Sequence, residues 1–93
     1  MVNHPIVKPG DRIEVGFHDC IVQELYPPDS EVYVCWVVYL HQGKPTKCPI
    51  SWDGEKWYIP DTDVCTYARE SEPFVHELKE LGESTRWLYA PRK

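Results

Sequence analysis

Residues 31–40, EVYVCWVVYL, are apolar on both faces of an extended chain. Strand side chains alternate, so Val32, Val34, Trp36, Val38 and Leu40 share one face, and Tyr33, Cys35, Val37 and Tyr39 share the other. β-Branched and aromatic residues dominate, and no helical rhythm is present, which predicts a strand. A long strand that is apolar on both sides needs cover on both. Its own bent sheet, a helix or a second subunit can supply it.

The flanking patterns add shorter elements. Residues 1–10 read as an extended lead-in interrupted by Pro5 and Pro9, with a turn at Pro9-Gly10-Asp11. Residues 12–17 alternate, with Ile13, Val15 and Phe17 inward and Arg12 and Glu14 outward, as in a half-buried strand. Residues 16–19 can carry a bend or bulge. In residues 20–26, Ile21 and Leu25 share a face interrupted by Gln23, while Cys20, Val22 and Tyr26 lie opposite. Pro27-Pro28-Asp29-Ser30 makes a turn before the central strand, and residues 41–45 end that strand. Residues 48–52 and 55–59 bracket Asp53-Gly54, a strong hairpin signal. Pro60 stops the hairpin, and residues 61–68 add a short strand through Val64, Thr66 and Ala68.

The rhythm then changes. Ser71 can cap a helix, Glu72 and Pro73 suit its first turn, and Gly82 can end it. Phe74, Leu78 and Leu81 form one apolar face with Val75 beside it, and Glu77, Lys79 and Glu80 face water. So short a helix is marginal alone and must dock on the sheet. Residues 85–90, TRWLYA, suit a last strand or a docked tail, and Pro91-Arg92-Lys93 a frayed end. No internal repeat or linker breaks the chain, so residues 1–93 form a single domain. The expected fold is mainly β: a strongly bent antiparallel sheet or small open barrel of about five to six strands, with one C-terminal helix.

A chain of 93 residues buries roughly 60–65% of its unfolded surface, enough for a core without metal or disulfide. The net charge of −5 opposes binding driven by phosphate neutralisation. Local cations remain, with Arg86, Arg92 and Lys93 near the C-terminus and Lys44 and Lys47 in one loop. No apolar run reaches about 18 residues, so no membrane span is expected. The N-terminal residues lack the apolar core of a signal peptide, which points to the cytoplasm. In that compartment Cys20, Cys35, Cys48 and Cys65 are expected as free thiols, although their even number leaves pairing open.

The order of elements resembles that of small Src-homology-3-like barrels, the group that includes Tudor and chromo-barrel domains. The matching residues are Pro9-Gly10-Asp11-Arg12-Ile13-Glu14-Val15 as first strand, Ile21-Val22 and Val32-Tyr33-Val34 as the next two, and Trp52-Asp53-Gly54-Glu55-Lys56-Trp57 in the final hairpin. The resemblance covers residues 9–60 and is one of element lengths, without a diagnostic motif. It implies a binding module rather than an enzyme. Tudor-like domains hold methylated lysine or arginine in aromatic cages.

Candidate chemistry starts with the aromatic residues. Trp36, Tyr39, Trp52, Trp57 and Tyr58 fall on neighbouring predicted strands, with Trp52 and Trp57 flanking the hairpin. Cross-strand aromatic pairs stabilise a sheet by roughly 0.2–1 kcal/mol, so these rings can simply be structural. As a ligand surface they suit a proline-rich peptide or a cation over ring faces. The ligand set expected from the hairpin is Trp52, Trp57 and Tyr58 with Asp53 and Glu55 as acidic neighbours, and Trp87 and Tyr89 are expected at an interface. A zinc site would need His18, Cys20, His41 and Cys48 to converge, and no C-x-x-C pair supports one. His18-Asp19-Cys20 is adjacent in sequence, which is not catalytic geometry. Asp61-x-Asp63 lacks the remaining ligands of a calcium loop. The expectation is a non-catalytic module without cofactor or metal that binds a protein, a peptide or a second copy of itself. A nucleic-acid-binding accessory domain and a small metal or thiol enzyme are the alternatives.

Overall fold

The computed structural model describes residues 4–81. Labelled in chain order, the strands are β1 Arg12–Val15, β2 His18–Leu25, β3 Cys35–His41, β4 Lys44–Trp52, β5 Trp57–Tyr58 and β6 Thr66–Tyr67. A 3-10 turn at Thr62–Val64 precedes β6, and one helix, α1 Val75–Leu81, follows it. β1 through β5 pair antiparallel in sequence order, and β5 returns parallel to β1 through Val15 and Trp57. That last pairing closes a five-stranded barrel, in agreement with the resemblance to Src-homology-3-like barrels. β6 adds to β4 outside the ring, with Thr46 opposite Tyr67 and Lys47 opposite Thr66.

Alternation along the strands divides the apolar residues into two clusters. Cys20 and Val22 from β2, Cys35, Val37 and Tyr39 from β3, and Cys48 and Ile50 from β4 fill the barrel with Val15 and Trp57. On the outside, Ile21 and Val38 lie under Val75 and Leu78 of α1, with Leu40, Ala68 and Phe74 beside them. The central strand therefore has its two covers, the barrel interior on one face and the helix on the other.

Several boundaries differ from the sequence pattern, each for a local reason. β3 begins at Cys35, because residues 30–34 curl instead of pairing along their length: Tyr33 N–H donates to Ser30 Oγ, and Ser51 Oγ donates to the Val32 carbonyl. Phe17 is not inward; with Gly16 it forms the β1–β2 turn and is 86% exposed. β4 starts at Lys44, four residues before the predicted start at Cys48. Gln42 and Gly43, at φ 53° and 78°, make a two-residue turn that sends the chain straight back. In such a hairpin His41 and Lys44 exchange hydrogen bonds and the pairs then alternate. Pro45 and Pro49 fall at non-bonded positions toward β3, so their missing N–H groups break no bond to that strand.

The C-terminal arm also differs. The helix starts at Val75 rather than after Ser71, since Phe74 at φ 67° cannot be helical. Before it, the Glu72 carboxylate accepts the Arg69 N–H and closes a turn. Gln23, displaced by the bulge between Val22 and Glu24, donates Nε2 to the Pro73 carbonyl at 3.1 Å. Cys48 and Cys65 form a disulfide, which corrects the expectation of four free thiols; Cys20 and Cys35 are free and buried. The cause is register: one step beyond the Lys47–Thr66 pair, Cys65 arrives opposite Cys48. Among the described residues no helix is long and apolar enough to cross a membrane.

Candidate functional site

The hairpin residues expected to form one ligand surface are divided by the alternation of their strands. Trp52 and Trp57 are cross-strand partners, with rings 5.1 Å apart and inclined at 64°. Trp57 points into the barrel and is 6% exposed, while Trp52 is half-buried against the same core. Tyr58, one residue on, faces outward. Asp53 serves the loop, its Oδ1 accepting the Glu55 and Lys56 N–H groups at 2.8 Å each, and these bonds hold its carboxyl below the usual range. Glu55 is exposed beside it. The five residues do not present one shared face. Trp87 and Tyr89, expected at an interface, lie outside the described residues, as do Arg86, Arg92 and Lys93.

A different aromatic group gathers where β2 gives way to β3. Tyr26 follows β2, and its N–H donates to the Val34 carbonyl, which holds the chain ends together across the Pro27-Pro28 turn. The Tyr26 ring stacks on Trp36, with centroids 5.8 Å apart and planes 17° from parallel. Tyr33 lies 5.2 Å from Tyr26 on the turn side. All three rings are half-buried, and Leu25 and Val32 nearby are exposed. Partial burial, with Tyr33 and Glu24 as neighbours, raises the Tyr26 hydroxyl pKa above its usual value, so Tyr26 is neutral at physiological pH.

The stack opens onto a shallow groove of about 600 Å³ lined by Gln23, Glu24, Trp36, Lys47, Glu72 and Pro73. Lys47 Nζ stands 5.5 Å from the centre of the Trp36 ring and 2.9 Å from Glu72 Oε1. The Arg69 N–H and the Lys47 ammonium together hold the Glu72 carboxyl below the usual carboxylate range. The sequence marks Trp36 as an aromatic candidate but does not mark Tyr26 and Tyr33 as its partners. Their signal was three rings bracketing one Pro-rich turn, legible only once that turn is taken as the bend between paired strands.

The other candidate groups are scattered or committed. The His18 and His41 rings lie 6.0 Å apart across β2 and β3, but Cys48 is in the disulfide. Among the described residues, no group of three or more His, Cys, Asp or Glu side chains is placed to hold a metal ion. Burial, then Asp19, pushes the Cys20 thiol well up, and burial pushes the Cys35 thiol up to about 12. Both are protonated at neutral pH and offer no thiolate. Asp61 caps the 3-10 turn by accepting the Asp63 N–H. Lys44 stands 5.6 Å over Tyr67, and Lys47 is paired as described, so these two cations do not form one free basic face. No family model, no curated protein and no solved structure matches this chain.

Proposed function

We propose that this chain is a non-catalytic binding module that holds an extended peptide segment of a protein partner against Tyr33, Tyr26 and Trp36. The observation that carries the reading is the aromatic row, Tyr33 tilted against Tyr26 and Tyr26 stacked on Trp36, whose last member Trp36 lines the groove beside Lys47 and Glu72. Aromatic rings give large contact area at low entropy cost, and a row of rings beside a groove suits an extended or proline-rich segment. Lys47 and Glu72 supply one charge of each sign at its edge, where polar groups set orientation. The hairpin around Trp52 and Tyr58 is the second surface a ligand can reach, and self-association is the competing use of the exposed aromatics. A Tudor-type aromatic cage is the less favoured form of the same idea, because Lys47 already stands over the Trp36 ring. A cytoplasmic setting belongs to the proposal. A disulfide formed there is of the transient, redox-responsive kind.

Selection from a displayed library of random peptides, followed by affinity measurement on variants, tests this. Tyr26→Ala and Trp36→Ala are expected to lower the affinity of a selected peptide at least about tenfold, as removal of aromatic anchors does. Tyr58→Ala is expected to stay within about twofold. The reverse order would move the site to the hairpin, and a library that yields no binder would sink the reading.

A further inference from the structure

One wall of the groove is not part of the barrel. Gln23, Glu24, Trp36 and Lys47 belong to β2, β3 and β4, whereas Glu72 and Pro73 lie on the arm that follows Cys65. That arm carries β6 and α1, and among the described residues it rests on the barrel through a two-residue ladder, polar pairs at the rim and one small apolar cluster. β6 contributes two residues and the Ala68 N–H donates to the Pro45 carbonyl; Gln23 bonds the Pro73 carbonyl, Lys47 pairs with Glu72 and Arg12 with Glu77, and Val75 and Leu78 cover Ile21 and Val38. Among the described residues its one covalent tie to the barrel, other than the chain itself, is the Cys48–Cys65 bond. The two sulfurs differ in access: Cys48 is fully buried in the barrel, and Cys65 is half-buried at its edge.

We propose that the Cys48–Cys65 disulfide is a redox latch, opened by a dithiol reductant at Cys65, whose reduction lets residues 65–81 open more often and the Glu72–Pro73 wall of the groove with them. The reductant's thiolate attacks Cys65 Sγ and forms a mixed disulfide there. The Cys48–Cys65 bond breaks, and its electron pair leaves on Cys48 Sγ. The Tyr39 hydroxyl lies 3.6 Å from that sulfur. A disulfide sulfur has no proton to give, so the hydroxyl is the donor, and it can hold the departing thiolate until solvent protonates it. The second thiol of the reductant then resolves the mixed disulfide. The dithiol ends oxidised to a disulfide, and its two electrons leave Cys48 and Cys65 as thiols. Cys20 and Cys35 take no part, since both are buried and protonated.

The bond spans 17 residues of chain. β4 and β5 stay in the barrel when the arm opens, so the free chain that the bond closes is only the stretch from Ile59 to Cys65, and the bond restricts opening by roughly tenfold or more. The contacts that remain after reduction lie mostly at the surface, with Val75 and Leu78 the buried exception, so the arm opens locally ahead of the barrel. Gating of the groove rests on the peptide-binding reading; release of the arm does not.

Amide hydrogen exchange of the full chain tests the latch, comparing air-oxidised protein with protein in dithiothreitol, and with Cys65→Ser without reductant. Alkylation and intact mass report whether the bond is present. Amides of residues 66–81 are expected to exchange at least about tenfold faster on reduction and in Cys65→Ser, with β1–β3 unchanged. Unchanged exchange in residues 66–81 would overturn the proposal. So would equal acceleration through the barrel, or failure of both reduced protein and Cys65→Ser to fold, because the bond would then be a general staple. Absence of the bond in oxidised protein would overturn it as well. No peptide enters this experiment, so its failure is distinct from failure of the binding reading.

Discussion

Lys47 joins three parts of the molecule through one side chain. It sits on β4, lies over the Trp36 ring, and pairs with Glu72 on the C-terminal arm. The pair is about three-quarters shielded, Lys47 being 27% and Glu72 22% exposed, so it is worth more than a fully solvated bridge and far less than a buried one. The Glu72 carboxyl has its pKa lowered by folding, through the Arg69 N–H first and Lys47 second. Its stabilisation is therefore complete above the unfolded carboxylate pKa of about 4.3 and is lost as pH falls through the lower folded value. Glu72→Gln should cost about 0.5–1 kcal/mol near neutrality in urea unfolding. The gap from the parent should close at pH below the ordinary carboxylate range. A gap that persists unchanged into strong acid would show that charge is not the source. The buried thiols give a second expectation at this scale. With Cys35 raised to about 12 and Cys20 raised too, iodoacetamide at pH 8 should leave both unlabelled in native protein and label both in denaturant. Native labelling of either would contradict the described interior.

Elements in this chain owe their existence to what they rest on. α1 has seven residues, too few to persist alone in water. Val75 and Leu78 are fully buried against Ile21 and Val38, and that contact holds the helix in place. Leu78→Ala removes the larger of the two helix anchors and should cost about 2–4 kcal/mol in denaturant unfolding, with the barrel's aromatic near-ultraviolet signal retained. A loss below about 0.5 kcal/mol would mean that the helix is not held by this face. The sequence showed the element and its apolar spacing but placed its start at Ser71. Ser71, Glu72 and Pro73 suit a helix start, but the helix begins at Val75, because Phe74 takes a left-handed backbone that no local pattern announces. The β3–β4 hairpin was obscured in the opposite way. Pro45 and Pro49 argue against a strand until the register places them where no bond to β3 is lost.

At the scale of the whole molecule, closure removes most of the edges at which strands recruit other chains. Val15 and Trp57 join the first and last strands of the ring, leaving β6, of two residues, on the outside of β4. The described exposed apolar side chains are spread along the chain, Ile6 in the lead-in, Phe17 in the β1–β2 turn, Val32 in the loop before β3 and Tyr67 in β6. Light scattering on a sizing column should accordingly give the monomer mass across a tenfold concentration range. A stable dimer would assign the exposed aromatics to a subunit interface and remove the main support for a peptide surface.

The alternation of residues 31–40 and the spacing of Phe74, Val75 and Leu78 were enough to determine a mainly β domain with one docked helix, since side-chain periodicity depends on local backbone geometry alone. The Trp52–Trp57 pair was legible for the same reason, as Asp53-Gly54 ties both sides of one short hairpin. Closure of the barrel, the Cys48–Cys65 bond and the Tyr33–Tyr26–Trp36 row were decided only in three dimensions. Each depends on register between segments distant in sequence, and a shift of one residue would turn Cys48 from Cys65 and Trp36 from the groove. Which face of a two-sided strand meets solvent is likewise not written in its own residues. Here the barrel takes Cys35, Val37 and Tyr39, α1 takes Val38, and Trp36, beyond the reach of both covers, is left half-open to the surface.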